Sequence, residues 1–162
     1  RHPKRGDNIA ALCQDQMPGA KAPTRRALGQ PPATGEVIHI VDTLGEMGSL
    51  FAIADVVFLG GSLLPIGGHN PLEPAQFGLP VICGPHLAKN QAEFDAIREI
   101  GGVTDIANGD ELADAVKAGI LTDKEKQISE SAMKSYAERA GKRPAIAADY
   151  ILKLLHDRTP SQ

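Results

Sequence analysis

The stretch Asp55-Val56-Val57-Phe58-Leu59-Gly60-Gly61-Ser62-Leu63-Leu64-Pro65-Ile66-Gly67-Gly68-His69-Asn70-Pro71-Leu72-Glu73-Pro74 decides how this chain is read. Val56 to Leu59 are continuously apolar, the pattern of a strand covered on both faces in a parallel sheet. Gly60-Gly61 closes it, and residues 62–70 form a loop containing Gly and Pro. Asn70 is a favoured N-cap, because its side-chain oxygen accepts an otherwise unpaired helix N–H. Pro71 then falls at the first helical position, where its missing N–H costs nothing. Glu73 stands at N3 and resembles the acidic member of a capping box. A helix is expected over residues 71–77, stopped by Gly78, since glycine takes the left-handed conformation without steric cost.

Working outward, residues 81–83 read as a third strand, ended by Gly84-Pro85. Upstream, residues 37–41 are β-branched and compact and read as a strand, followed by loop at Asp42-Thr43 and Gly45. Residues 47–54 read as a short helix with Leu50, Phe51 and Ile53, and residues 7–16 as another carrying Ile9, Leu12 and Cys13. Residues 18–35, rich in Pro, Gly, Ala and basic residues, read as a loop. Downstream, residues 91–100 place Phe94, Ile97 and Ile100 at helical spacing, and residues 103–106 read as a fourth strand. Three helices follow. Residues 111–121 carry Leu112, Val116 and Ile120, residues 123–139 carry Ile128, Ala132 and Tyr136, and residues 144–156 carry Ile146, Tyr150 and Leu154. Strands alternating with helices imply an α/β fold, a Rossmann-like, mostly parallel sheet flanked by helices.

The 162 residues suffice for one domain with its own core. Apolar residues make up 42% and charged residues 23%, as in a soluble globular protein. A net charge of -3 argues against a duplex nucleic-acid binder, which shows a basic face, and no nucleic-acid partner is assigned. Cys13 and Cys83 have no metal-ligand or C-x-x-C spacing, and Cys83 reads as a buried free thiol. No metal and no cofactor is assigned. No stretch reaches the length of a membrane-spanning helix, and the start has no signal-peptide pattern. The chain opens on Arg1-His2-Pro3 without a methionine, and we read it as a piece of a longer protein.

A helix beginning just beyond the carboxyl end of a parallel strand presents N–H groups and a partial positive charge. Ligands of open parallel sheets bind there. Gly67 and Gly68 let a ligand approach the backbone, and the Glu73 carboxylate suits the two hydroxyls of a ribose. The plainer reading stands beside this one. Glu73 completes a helix cap, the glycines make a turn, and His69 by itself is a structural histidine.

Taken together, several motifs decide between these. They are Val57-Phe58-Leu59-Gly60-Gly61-Ser62-Leu63, Gly67-Gly68-His69-Asn70-Pro71-Leu72-Glu73-Pro74, Gly78-Leu79-Pro80-Val81 and Gly84-Pro85-His86. With Arg1-His2-Pro3 and Asp42-Thr43-Leu44-Gly45-Glu46-Met47, in this order and spacing, the chain resembles the C-terminal half of the Kdo (3-deoxy-D-manno-octulosonic acid) transferases of lipopolysaccharide synthesis. The match covers nearly the whole chain and is weak after Gly102. Residues 87–91, Leu-Ala-Lys-Asn-Gln, depart from the family's continuation toward an Asn-Phe pair.

The resemblance implies a GT-B fold of two Rossmann-like domains, with residues 1–162 belonging to the C-terminal nucleotide-sugar-binding one. It places a further strand-helix-strand stretch before Arg1. It implies a CMP-Kdo donor and a lipid A precursor as acceptor. Arg1 would contact the nucleotide, while Leu44, Gly45 and Glu46 would line the cytidine side. Gly68, His69, Asn70, Pro71, Leu72 and Glu73 would hold phosphate and ribose. Arg1 also reads as a solvated terminal arginine. No catalytic residue is assigned, because the family's general base is a glutamate of the N-terminal domain, so the chain is not expected to catalyse transfer alone. The resemblance places the whole protein at the cytoplasmic face of the bacterial inner membrane, anchored through an N-terminal region absent from this sequence. Two other readings are carried forward. One is a GT-B relative using a UDP-sugar, a transferase or an epimerase. The other is a non-catalytic nucleotide-binding module.

Overall fold

The computed structural model describes residues 2–119 and 123–156. The chain divides into two compact units, residues 1–50 and 51–162. The first contains a 3-10 turn at Pro3–Arg5, α1 (Gly6–Gln16), β1 (Thr24–Arg25), a second 3-10 turn at Arg26–Leu28 and β2 (His39–Ile40). Helix α2 (Met47–Ile53) crosses the boundary in sequence. The second unit holds β3 (Val57–Phe58), α3 (Leu72–Ala75), β4 (Val81–Cys83), α4 (Gln91–Glu99), β5 (Val103–Asp105), α5 (Leu112–Gly119), α6 (Asp123–Gly141) and α7 (Arg143–His156).

Among the described residues every ladder is parallel. β1 pairs with β2, setting Thr24 opposite His39. In the second unit the order is β3-β4-β5, with Val57 opposite Val81 and Val81 opposite Val103. The mixed α/β architecture read from the sequence is the one observed. β4 is central and buried at all three residues. Because successive side chains point to opposite faces, β4 feeds two cores. Val81 and Cys83 join Phe94 and Ile97 of α4, and Met133, Tyr136, Ala137 and Ala140 of α6, on one face. Ile82 joins Ile106 and Ala115 on the other, with Phe58, Leu112 and Val116 packed against them. Burying side chains the size of Phe94, Ile82 and Ile97 stabilises by about 1.5–3 kcal/mol each. Cys83 is a buried free thiol, and burial together with the neighbouring Asp105 carboxylate pushes its pKa up to about 12.

Several expectations need correction. Residues 18–35 are not all loop. Thr24 and Arg25 form β1, whose partner is 15 residues away in sequence, so no local pattern announces it. The first and second strands are shorter than read, at two residues each. On α6 the buried stripe runs Met133, Tyr136, Ala137 and Ala140, whereas Ala132 is half-buried. On α1, Ile9 and Leu12 are exposed, as is Ile53 of α2. The α7 stripe faces outward in this chain, with Ile146 and Tyr150 each 65% exposed. The expected contacts of Ile120, Ile128 and Leu154 lie outside what the structure describes. Among the described residues no helix is long and apolar enough to cross a membrane.

Candidate functional site

In the second unit, the Leu72 N–H donates to Asn70 Oδ1 at 3.0 Å, but the helix begins one residue later than read from the sequence, with Pro71 at the N-cap and Glu73 at the second helical position. The carbonyl of Asn70 should receive the N–H of residue 74, and Pro74 has none. The first helical bond therefore runs from the Ala75 N–H to the Pro71 carbonyl, at 3.2 Å. α3 is correspondingly short, and residues 76–78 close it with tighter turns, Phe77 N–H to the Pro74 carbonyl and Gly78 N–H to the Ala75 carbonyl. Gly78 stops it at φ +76°, where a Cβ would also meet the Glu130 backbone at 2.9 Å.

The loops that follow β3 and β4 are fastened to each other. Ser62 is fully buried. Its hydroxyl donates to the Leu59 carbonyl (2.6 Å) and accepts the Gly84 N–H (2.9 Å). Its carbonyl accepts the His86 N–H at 2.9 Å. A Cβ on Gly84 would stand 2.5 Å from that carbonyl oxygen, so only glycine fits between the loops. The Gly68 N–H donates to the Gly61 carbonyl at 2.9 Å, closing the loop on itself.

Gly67 (φ +102°) and Gly68 (φ +69°) adopt backbone that other residues resist. The expectation that they open space for a ligand is corrected on the side where a Cβ would lie. A Cβ on Gly67 would meet the Lys89 stem at 3.1–3.3 Å, and one on Gly68 would meet Leu87 at 3.3 Å. Two backbone donors of the turn are committed within it, Gly68 to Gly61 and Leu72 to Asn70. Pro71 is fully buried and Leu72 packs on the core, so both anchor the turn. Asn70 and Glu73 are half-buried and His69 is exposed. A groove of about 410 Å³ opens between residues 65–67 and 85–89.

In the first unit, buried Asp42 fixes the start of the other motif. It accepts the Ala27 N–H at 2.8 Å and Arg25 Nε at 2.9 Å, and its second contact with Arg25 spans 2.7 Å. Arg25 also pairs with Asp7, and a Cβ on Gly6 would collide with the Asp42 carboxylate. The Ala27 N–H, then Arg25, hold the Asp42 carboxyl below its usual value against the cost of burial. Glu46 is half-buried. Arg26 Nε lies 3.1 and 3.0 Å from its two oxygens, the Arg26 NH2 group lies 2.9 Å from one, and the Thr43 hydroxyl donates at 2.8 Å. The Arg26 guanidinium, then Thr43, keep Glu46 ionised below the usual range. Leu44 is 77% exposed, and Gly45 is exposed at φ +85°. Glu46 borders a pocket of about 300 Å³ with Arg26, His39, Pro31, Pro32 and Ser49.

Arg1 lies outside the described residues. Among those described, no group of His, Cys, Asp and Glu could hold a metal ion. Sequence reasoning missed Arg26, Ser62 and Lys89. Each meets a partner about 20 residues away, so no local pattern singles it out.

No family model matches the chain. It is 36% identical over 126 residues to the 3-deoxy-D-manno-octulosonic acid transferase of Haemophilus influenzae, covering 77% of this chain and 29% of that protein. It is 43% identical over 98 residues to the enzyme of that name from Bordetella pertussis, covering 60% of this chain and 22% of the relative. The chain thus spans only a quarter or so of each of these relatives. In structure it is similar to the C-terminal CMP-Kdo binding domain of WaaA from Acinetobacter baumannii, with a TM-score of 0.72 and 28% identity, covering 86% of this chain and 69% of that one. Both the sequence matches and the fold identify the chain as a homologue of the 3-deoxy-D-manno-octulosonic acid transferases.

Proposed function

We propose that this chain is the donor-binding part of an inverting glycosyltransferase that moves Kdo from CMP-Kdo to a lipid A precursor in lipopolysaccharide biosynthesis, at the cytoplasmic face of the bacterial inner membrane. The observation that carries the reading is the structural likeness to a CMP-Kdo binding domain over 86% of the chain. Asn70 builds the turn that bears Glu73, at the start of the helix that follows β3, and open parallel sheets bind ligands beyond the carboxyl ends of their strands. There the Glu73 carboxylate accepts the ribose hydroxyls. In the first unit, Arg26 and Thr43 orient Glu46. The base that deprotonates the attacking sugar hydroxyl belongs to the other domain of the whole protein. This chain holds and orients the donor and offsets the charge of the departing CMP.

The test is transfer by the full-length protein, given CMP-Kdo and a lipid A precursor, for wild type and Glu73→Ala. At least a tenfold loss is expected, since Glu73 forms charge-assisted bonds to the donor. Equal activity removes Glu73 from the site. CMP should also raise the thermal midpoint more than UMP does, and the reverse order would transfer the site to a uridine donor.

A further inference from the structure

The groove beyond β3 and β4 has a chemistry that the donor reading leaves unassigned. No carboxylate lines it. Gln91, at its edge, turns its amide N–H to Asp95 at 2.8 Å. The basic side chains that line it are Lys89 and His86.

Lys89 is exposed, and its stem lies beside Gly67. Its Cγ, Cδ and Cε lie 3.1, 3.2 and 3.3 Å from where a Cβ on Gly67 would stand. Gly67 at φ +102° thus serves two ends, a backbone that favours glycine and a bare surface on which the lysine stem lies. The two walls are held in register by Ser62, through the Gly84 and His86 N–H groups. Meanwhile the backbone N–H groups of Gly68 and Leu72 are spent inside the protein. An anionic group docking in the groove meets the Lys89 ammonium, which offsets the cost of a desolvated charge left unpaired.

We propose that Lys89, seated on Gly67 and flanked by His86, is the anion-recognition residue of the donor site. It takes an anionic oxygen group on the sugar-phosphate side of the donor, either the phosphate or the sugar carboxylate. A lysine ammonium, a compact charge with three rotatable donors, suits both. This assignment rests on the donor reading above.

The test uses the full-length protein and three probes, cytidine, CMP and CMP-Kdo, with Lys89→Gln and Lys89→Arg. Lys89→Gln should leave cytidine affinity unchanged. If the phosphate is the group held, CMP binds about tenfold more weakly, the scale of a hydrogen bond to a charged group. If the carboxylate is held, CMP affinity stays and KM for CMP-Kdo rises about tenfold. Lys89→Arg should retain most of the affinity in either case. Unchanged binding of all three probes overturns the proposal. So does an equal loss for cytidine, which marks a structural role. A wild type that binds UMP as tightly as CMP strikes instead at the donor reading. The Lys89 assignment would then still be decided by whether Lys89→Gln weakens the nucleotide relative to its nucleoside.

Discussion

Around Asp42 and Glu46 in the first unit, side-chain charge does most of the fastening: Arg25, itself paired with Asp7, grips one carboxylate, and Arg26 with the Thr43 hydroxyl grips the other. Around residues 60–70 and 84–89 in the second unit, the fastening is steric and largely through the backbone: a buried hydroxyl, paired peptide groups and glycines packed against neighbouring atoms. Both regions carry motifs of the same family resemblance, yet they should respond to different perturbations. Protons act on the first. The second should be indifferent to them and sensitive to single methyl groups.

The largest expected effect tests the packed side at its base. Phe94 is fully buried beneath β4, and Phe94→Ala should cost about 3–5 kcal/mol in urea denaturation. A loss under 1 kcal/mol would mean that the sheet is not held by this core. Next, Gly84→Ala forces a methyl against the Ser62 carbonyl and should destabilise by about 1–3 kcal/mol. Ser62→Ala leaves the buried Gly84 N–H without its partner, with a cost again of about 1–3 kcal/mol. If both variants are as stable as wild type, the two loops are not locked as described.

Acid should separate the two regions more sharply. Asp42 and Glu46 both titrate below their ordinary values of 3.8 and 4.5, so the unfolded chain binds these protons more readily than the folded one. Their contribution to stability is fully present above the ordinary values and is lost as pH falls through the lowered ones. As pH falls below 3.8, through the lowered value of Asp42, the Ala27 amide bonded to it should lose hydrogen-exchange protection, while the Gly84 amide keeps its own. Parallel loss at both would erase the contrast. The smallest effect is Arg26→Gln. Glu46 should then titrate closer to an ordinary carboxyl by NMR, with stability nearly unchanged, because the Arg26 side chain is 52% exposed.

Much of the second region was legible in the sequence because its signals are local. The apolar run of residues 56–59, the Asn70 bond to the start of α3 and the Gly78 stop each depend on neighbours within a few positions. Even the late start of α3 follows from Pro74 lacking an N–H. The first region was harder. β1 is two residues long and exists only through its pairing with β2, and Arg25 looks like any other basic residue until Asp42 is brought to it. On α6, helical spacing allowed a stripe through Ala132, but the core selects Met133, whose sulfur fills the space left by the missing side chain of Gly102.

Sequence alone settled the α/β class, the order of the main strands and helices, the Asn70 bond to the helix start and the family resemblance, because periodicity, turn chemistry and motif spacing are written in consecutive residues. Only the tertiary structure decided that Ser62 joins the loops after β3 and β4, that Lys89 lies across Gly67, and that Arg26 holds Glu46. Those contacts join segments about 20 residues apart. Their energy comes from close packing and ion pairing, which depend on where chain folding brings the atoms rather than on their spacing along it.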